Sequence, residues 1–195
     1  MRLWTAVVTA IMLFGTPGLA LGYDPVNEFS RGTIVATPQV GGGINNSVET
    51  RHTEITQVSA TVRVSLLLLD PLGTGFWRGS LETGLEPWFQ HYPEQEATAA
   101  GLKIAVRYHF LGASPVFPYV EALMGAGGTS LNVRETRSNF TFVLEGGAGL
   151  SYFVTQGVAL TAGYRFQHTS NGNTDSPNVG VNSDTGVVGV SFFFH

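Results

Sequence analysis

The chain has 195 residues, 43% of them hydrophobic and only 12% charged, with 25 glycines and no cysteine. Ordinary soluble domains carry about 25% charged residues, and hydrophobicity at this level excludes a disordered chain. A net charge of −4 lacks the basic excess of a nucleic-acid binder, and the absence of cysteine excludes disulfide scaffolds, thiolate metal sites and a thiol nucleophile.

At the N-terminus, Arg2 precedes a mostly apolar run from Leu3 to Phe14, then Gly15-Thr16-Pro17-Gly18. Small residues at Ala20 and Gly22 flank a cleavage point before Tyr23. Residues 1–22 therefore read as a secretory signal peptide and 23–195 as the exported domain. No later segment stays apolar for the roughly 18 residues that a membrane helix requires.

The exported part has a period of two. A weak candidate strand at Thr33–Gly43 comes first, followed by Val58–Leu66, where Val58, Ala60, Val62, Val64 and Leu66 share one face. Trp77–Leu85 alternates against Arg78, Ser80 and Glu82. Ala100–Phe110 sets Leu102, Ile104, Val106 and Tyr108 opposite Lys103, Arg107 and His109. Val116–Gly127 is a second weak candidate. Phe140–Tyr152, Val158–Ser170 and Val188–Phe194 complete the set. Turn chemistry separates them at Asp70-Pro71-Leu72-Gly73, Gly112-Ala113-Ser114-Pro115 and Thr155-Gln156-Gly157. The class is all-β, with eight antiparallel strands.

The contents of the polar face choose the architecture. It carries Arg63, Arg78, Lys103, Arg107 and Arg165 with Glu82, Glu86, Glu121 and Glu145, spaced by Gly, Ser and Thr. Such a mixed set suits the interior of a narrow eight-stranded barrel, where side chains fill the lumen and charges must pair. The apolar face, with aromatics near strand ends, then meets lipid. The expectation is a transmembrane outer-membrane β-barrel with Asn171–Asp184 in an extracellular loop.

At the outer end of the seventh strand the lipid-facing row changes character. Tyr164 and Phe166 are followed on the same parity by His168 and Ser170. Residues two apart share a face at roughly 6.5–7 Å between Cα atoms, so a His base and a Ser nucleophile can meet there. Aimed at the membrane rim, the pair has access to lipid esters.

The wider block, His168-Thr169-Ser170-Asn171 with Pro177-Asn178-Val179-Gly180-Val181-Asn182, resembles the signature of the lipid A 3-O-deacylase (PagL-type) family of outer-membrane barrels. Pro118-Tyr119-Val120-Glu121 and Gly163-Tyr164-Arg165-Phe166 add to the likeness. The resemblance implies a deacylase acting on lipid A of lipopolysaccharide, with Ser170 as nucleophile and His168 as general base. It makes Asn171 and nearby loop N–H groups the oxyanion donors. The family's third member is a Glu fourteen residues after the His, where this chain has Asn182; Asp184 or Asp175 are the alternative carboxylates. A structural or adhesive barrel without catalysis is the rival reading. The five histidines lack metal-ligand spacing, and nothing calls for a cofactor.

Overall fold

The computed structural model describes residues 24–46, 53–112 and 115–195; the expected signal peptide lies outside them. Eight strands follow in chain order: β1 (Ile34–Asn45), β2 (Thr56–Leu67), β3 (Gly79–Tyr92), β4 (Ala97–Phe110), β5 (Val116–Thr129), β6 (Phe140–Thr155), β7 (Val158–Ser170) and β8 (Val181–Phe194). Each pairs antiparallel with its neighbours, and β8 returns to β1 to close the barrel. Closure leaves no unpaired sheet edge, which hydrocarbon would not tolerate.

Most strands run longer than their hydrophobic pattern indicates, and two depart from it most. β3 starts at Gly79, with Trp77 in a short 3₁₀ turn, and continues past Pro87 to Tyr92. Pro87 offers no N–H, and the β2–β3 register runs from Val58–His91 to Thr61–Trp88 and resumes only at Val64–Leu85. β8 starts at Val181, so Asn182 and Asp184 belong to a strand and not to the loop expected there. Both faces of 181–185 are largely polar, which hides the alternation, yet the backbone pairs with β7 and β1 alike.

The apolar parity faces outward: Val40, Val62, Leu85, Ile104, Val120, Leu144 and Leu150 are all exposed. Inside, the charges form one network. Glu121 takes Arg63 and Arg107 at 2.9 Å each and Arg165 at 2.8 Å. Glu86 takes Arg63 at 2.7 Å with Lys103 and Arg165 at 2.9 Å, and Glu145 joins Lys103 at 3.0 Å. Arg78, expected in this set, precedes β3 and is exposed. Small inward residues make the space. Tyr119 crosses the lumen, and a Cβ on either Gly149 or Gly163 would lie 2.4 Å from its hydroxyl.

Apolar layers cap this network at both ends. Above it sit Ile55, Trp88, Leu131, Val133 and Val143. Below it, Phe29 packs edge-on against Phe117, Phe153 and Phe193. Phe29 ends a 3₁₀ turn (Pro25–Phe29) that Asp24 caps, and so stoppers the periplasmic mouth. The chain's last residue holds this stopper, because His195 Nε2 meets Glu28 Oε2 at 2.7 Å and Nδ1 meets Thr33 Oγ1 at 3.1 Å. The lumen is packed and cannot conduct.

Removing one partner from a buried ionic network leaves the others uncompensated, at a cost of about 3–5 kcal/mol. Glu121→Ala, which removes the one carboxylate paired with Arg107 and one of several paired with Arg63 and Arg165, is therefore expected to lower unfolding stability by about that amount. Urea unfolding in lipid vesicles followed by tryptophan fluorescence measures it; a loss under about 1 kcal/mol would contradict the pairing.

Candidate active site

The outer row of β7 runs Tyr164, Phe166, His168, Ser170, alternating with buried Arg165, Gln167 and Thr169. His168 and Ser170 are half-buried on that row. On the β6 side Leu144 opposes His168 and Phe142 opposes Ser170, both exposed to lipid. On the β8 side His168 lies opposite Asn182. The catalytic candidates therefore sit on the membrane-facing wall at the extracellular rim, not in the lumen.

His168 Nδ1 donates to Asn182 Oδ1 at 2.7 Å. This bond places the ring proton on Nδ1 and leaves the Nε2 lone pair free, which is the tautomer a general base needs. Asn182 is itself held, since its backbone carbonyl accepts from Asn46 N at 2.7 Å. Asp184, one outward position deeper, does not reach His168; it accepts a hydrogen bond from the Tyr164 hydroxyl. Asp175 is bonded only within its loop, where its Oδ1 accepts from Ser176 N at 2.7 Å and its carbonyl accepts from Asn171 Nδ2 at 3.0 Å. Among the described residues no hydrogen bond joins Ser170 Oγ to the His168 ring. The structure thus brings together His168, Asn182 and the Ser170 position, and leaves Asp184 and Asp175 outside.

Asn171 is completely buried. Its Nδ2 donates to the carbonyls of Asp175 at 3.0 Å, Arg137 at 3.1 Å and Pro177 at 3.2 Å, while Oδ1 accepts from Asn173 N at 2.9 Å. Its backbone N–H is taken by Asn178 Oδ1 at 2.9 Å. Both donors of Asn171 are engaged in shaping the 171–180 loop, so acting as an oxyanion donor would require breaking one of these bonds.

Glu135, in the β5–β6 loop, carries no sequence signal of its role. Its carbonyl accepts from Val179 N at 2.8 Å and Gly180 N at 3.3 Å. Its carboxyl accepts from Thr53 N at 2.8 Å and Thr53 Oγ1 at 2.9 Å. Thr136 bridges Asn178 across the same junction. Three extracellular loops thus converge on the rim beside His168, although their residues lie far apart in sequence and nothing local marks the contact.

A closed eight-stranded barrel with a lipid-facing apolar wall and a packed ionic lumen is an outer-membrane protein of bacteria. Among solved structures, Neisserial surface protein A is similar at 19% identity and a TM-score of 0.61, covering 84% of this chain and 99% of that one. The outer membrane enzyme PagL is similar at 19% identity and a TM-score of 0.59, covering 80% and 97%. At that identity the likeness shows the fold. No curated protein matches the chain in sequence. The lipid A 3-O-deacylase (PagL) family model matches residues 58–191, and the chain belongs to this family. The matched stretch includes His168, Ser170, Asn171 and Asn182.

Burial raises the Glu135 carboxyl, but the two Thr53 hydrogen bonds outweigh it and hold the group below its ordinary value. The clamp is therefore complete above the usual carboxylate pKa of about 4.3, and it is lost as pH falls through the lower folded value. Hydrogen exchange at Thr53, Val179 and Gly180 is expected to accelerate on that acidification ahead of the strand amides, and Glu135→Gln to remove this pH dependence. Uniform acceleration across the barrel would contradict the clamp.

Proposed function

We propose that the protein is a serine-type ester hydrolase that removes an ester-linked acyl chain from lipid A in the outer leaflet. The observation that carries this reading is the His168–Asn182 bond on the lipid-facing wall, within a segment matched by the deacylase family. A lipid ester in the outer leaflet lies against that wall at headgroup depth.

Rotation of the Ser170 side chain toward Nε2 supplies the remaining contact; catalytic hydrogen bonds are often loose without substrate. His168 Nε2 then takes the Ser170 proton as Oγ attacks the acyl carbonyl. The oxygen becomes an oxyanion, met by N–H groups of the loop that Asn171 shapes. Collapse breaks the ester, His168 gives its proton to the departing sugar oxygen, and the acyl chain stays on Ser170. Water, deprotonated by His168, attacks the acyl-enzyme and releases the fatty acid. No step calls for a metal or cofactor.

Asn182 orients the ring but adds no charge to stabilise the imidazolium. This favours a slow enzyme, and with the missing Ser170–His168 bond and the engaged donors of Asn171 it stands on the side of the rival reading, a non-catalytic barrel. The two are separated by incubating the purified protein with lipid A and following its mass. Loss of one acyl chain with wild type, and none with Ser170→Ala or His168→Ala, is the expected result. Asn182→Glu, which restores a carboxylate, is expected to raise kcat by roughly tenfold or more. Identical acylation patterns for wild type and Ser170→Ala would sink the catalytic reading.

A further inference from the structure

The face of His168 that Asn182 does not hold is fixed by a residue with no side chain. Gly180 immediately precedes Val181, the cross-strand partner of Thr169, and so stands at the level of Ser170. A Cβ built on Gly180 would lie 2.7 Å from His168 Cε1, 3.1 Å from Nε2 and 3.1 Å from the Thr169 carbonyl. The first distance is inside any real carbon–carbon contact, and the obstructing atoms belong to a ring flanked by Leu144 and bonded to Asn182. Gly180 also has φ +78°, a region costly to residues with a Cβ. Sterics and backbone conformation thus both require glycine at this point.

The backbone of Gly180 is held from outside β8. Its N–H and that of Val179 both donate to the Glu135 carbonyl, and the Glu135 carboxyl is anchored on Thr53. The geometry points to Gly180 as a positioning residue for His168, pinned against the ring edge by the β5–β6 loop through Glu135. The Nδ1 edge is fixed by Asn182 and the Cε1–Nε2 edge is bounded by Gly180, so the ring is restrained on both sides. Gly180 touches no substrate; it acts through the imidazole. The inference rests on the hydrolase reading for its purpose, but not for its geometry.

The test joins kinetics to a direct view of the ring. In Gly180→Ala, displacing the base by about an ångström is expected to lower kcat on lipid A roughly hundredfold, with KM changed much less. In protein labelled with ¹⁵N-histidine in micelles, wild-type His168 shows the Nδ1-protonated tautomer, and Gly180→Ala shifts both ring nitrogens. Gly172→Ala controls for loop strain. Gly172 is also left-handed, at φ +63°, but its Cβ would meet the Phe142 ring at 2.5 Å and not His168; it is expected to leave the His168 resonances in place. Thr53→Val, which only weakens the anchor of Glu135, moves the same resonances by a smaller amount and serves if Gly180→Ala does not assemble. Unchanged His168 resonances in Gly180→Ala, or equal shifts in Gly172→Ala, would overturn the proposal. A wild type with the expected spectrum that cleaves nothing would overturn the hydrolase reading and leave the positioning role standing.

Discussion

In hydrocarbon a polar group has no water to bond, so each one must find a partner within the protein or lie at the membrane's edge. That constraint organises this molecule. It closes β8 on β1, sends Arg63, Arg107, Arg165 and Lys103 inward to meet four glutamates, and leaves Val, Leu, Ile and Phe to face outward. The few polar side chains on the outer wall stand out for the same reason. Asp184 is paired with Tyr164, His168 with Asn182, and Ser170 sits where β7 leaves the membrane. A rigid, filled barrel presents this small constellation to the lipid phase at a fixed depth.

The rim is built by loops that side-chain to backbone bonds tie together. Asn171 ties the 171–180 segment to itself and to Arg137, and Glu135 ties that segment to Thr53. Each side chain satisfies several backbone groups that the end of a strand leaves unpaired. The site is therefore positioned by strands from below and by three loops from above. The lumen needs no opening for this function, and its apolar caps and the Glu28–His195 clasp give it none.

Much of the fold was legible because lipid on one side and a packed lumen on the other impose a strict alternation. Leu102, Ile104 and Val106 against Lys103, Arg107 and His109 leave no other reading of β4. The alternation failed where its cause was absent. Residues 181–185 are near the rim, where both faces are largely polar, so the alternation shows β8 only from Val188. The alternation of the third strand is legible only to Leu85, yet the strand continues past Pro87 with its β2 ladder open there. Arg78 was counted inward by extrapolating a parity past the true strand start.

The candidate pair was readable from spacing alone, since residues two apart on a strand share a face, and the family likeness gave it a role. The resemblance offers Asn182 as the partner of the His168 ring with Asp184 and Asp175 beside it, and the sequence does not choose among them. The choice of Asn182 over Asp184 depends on cross-strand register, and the contact of Gly180 with the ring depends on a left-handed backbone that its neighbours enforce. The most direct measurement of the central claim is covalent. An alkyl phosphonate that partitions into membranes, applied to the protein in outer-membrane vesicles and mapped by peptide mass, is predicted to label Ser170 and to lose that label in His168→Ala. Labelling elsewhere, or equal labelling of Ser170 without His168, would contradict a nucleophile activated on the lipid-facing wall.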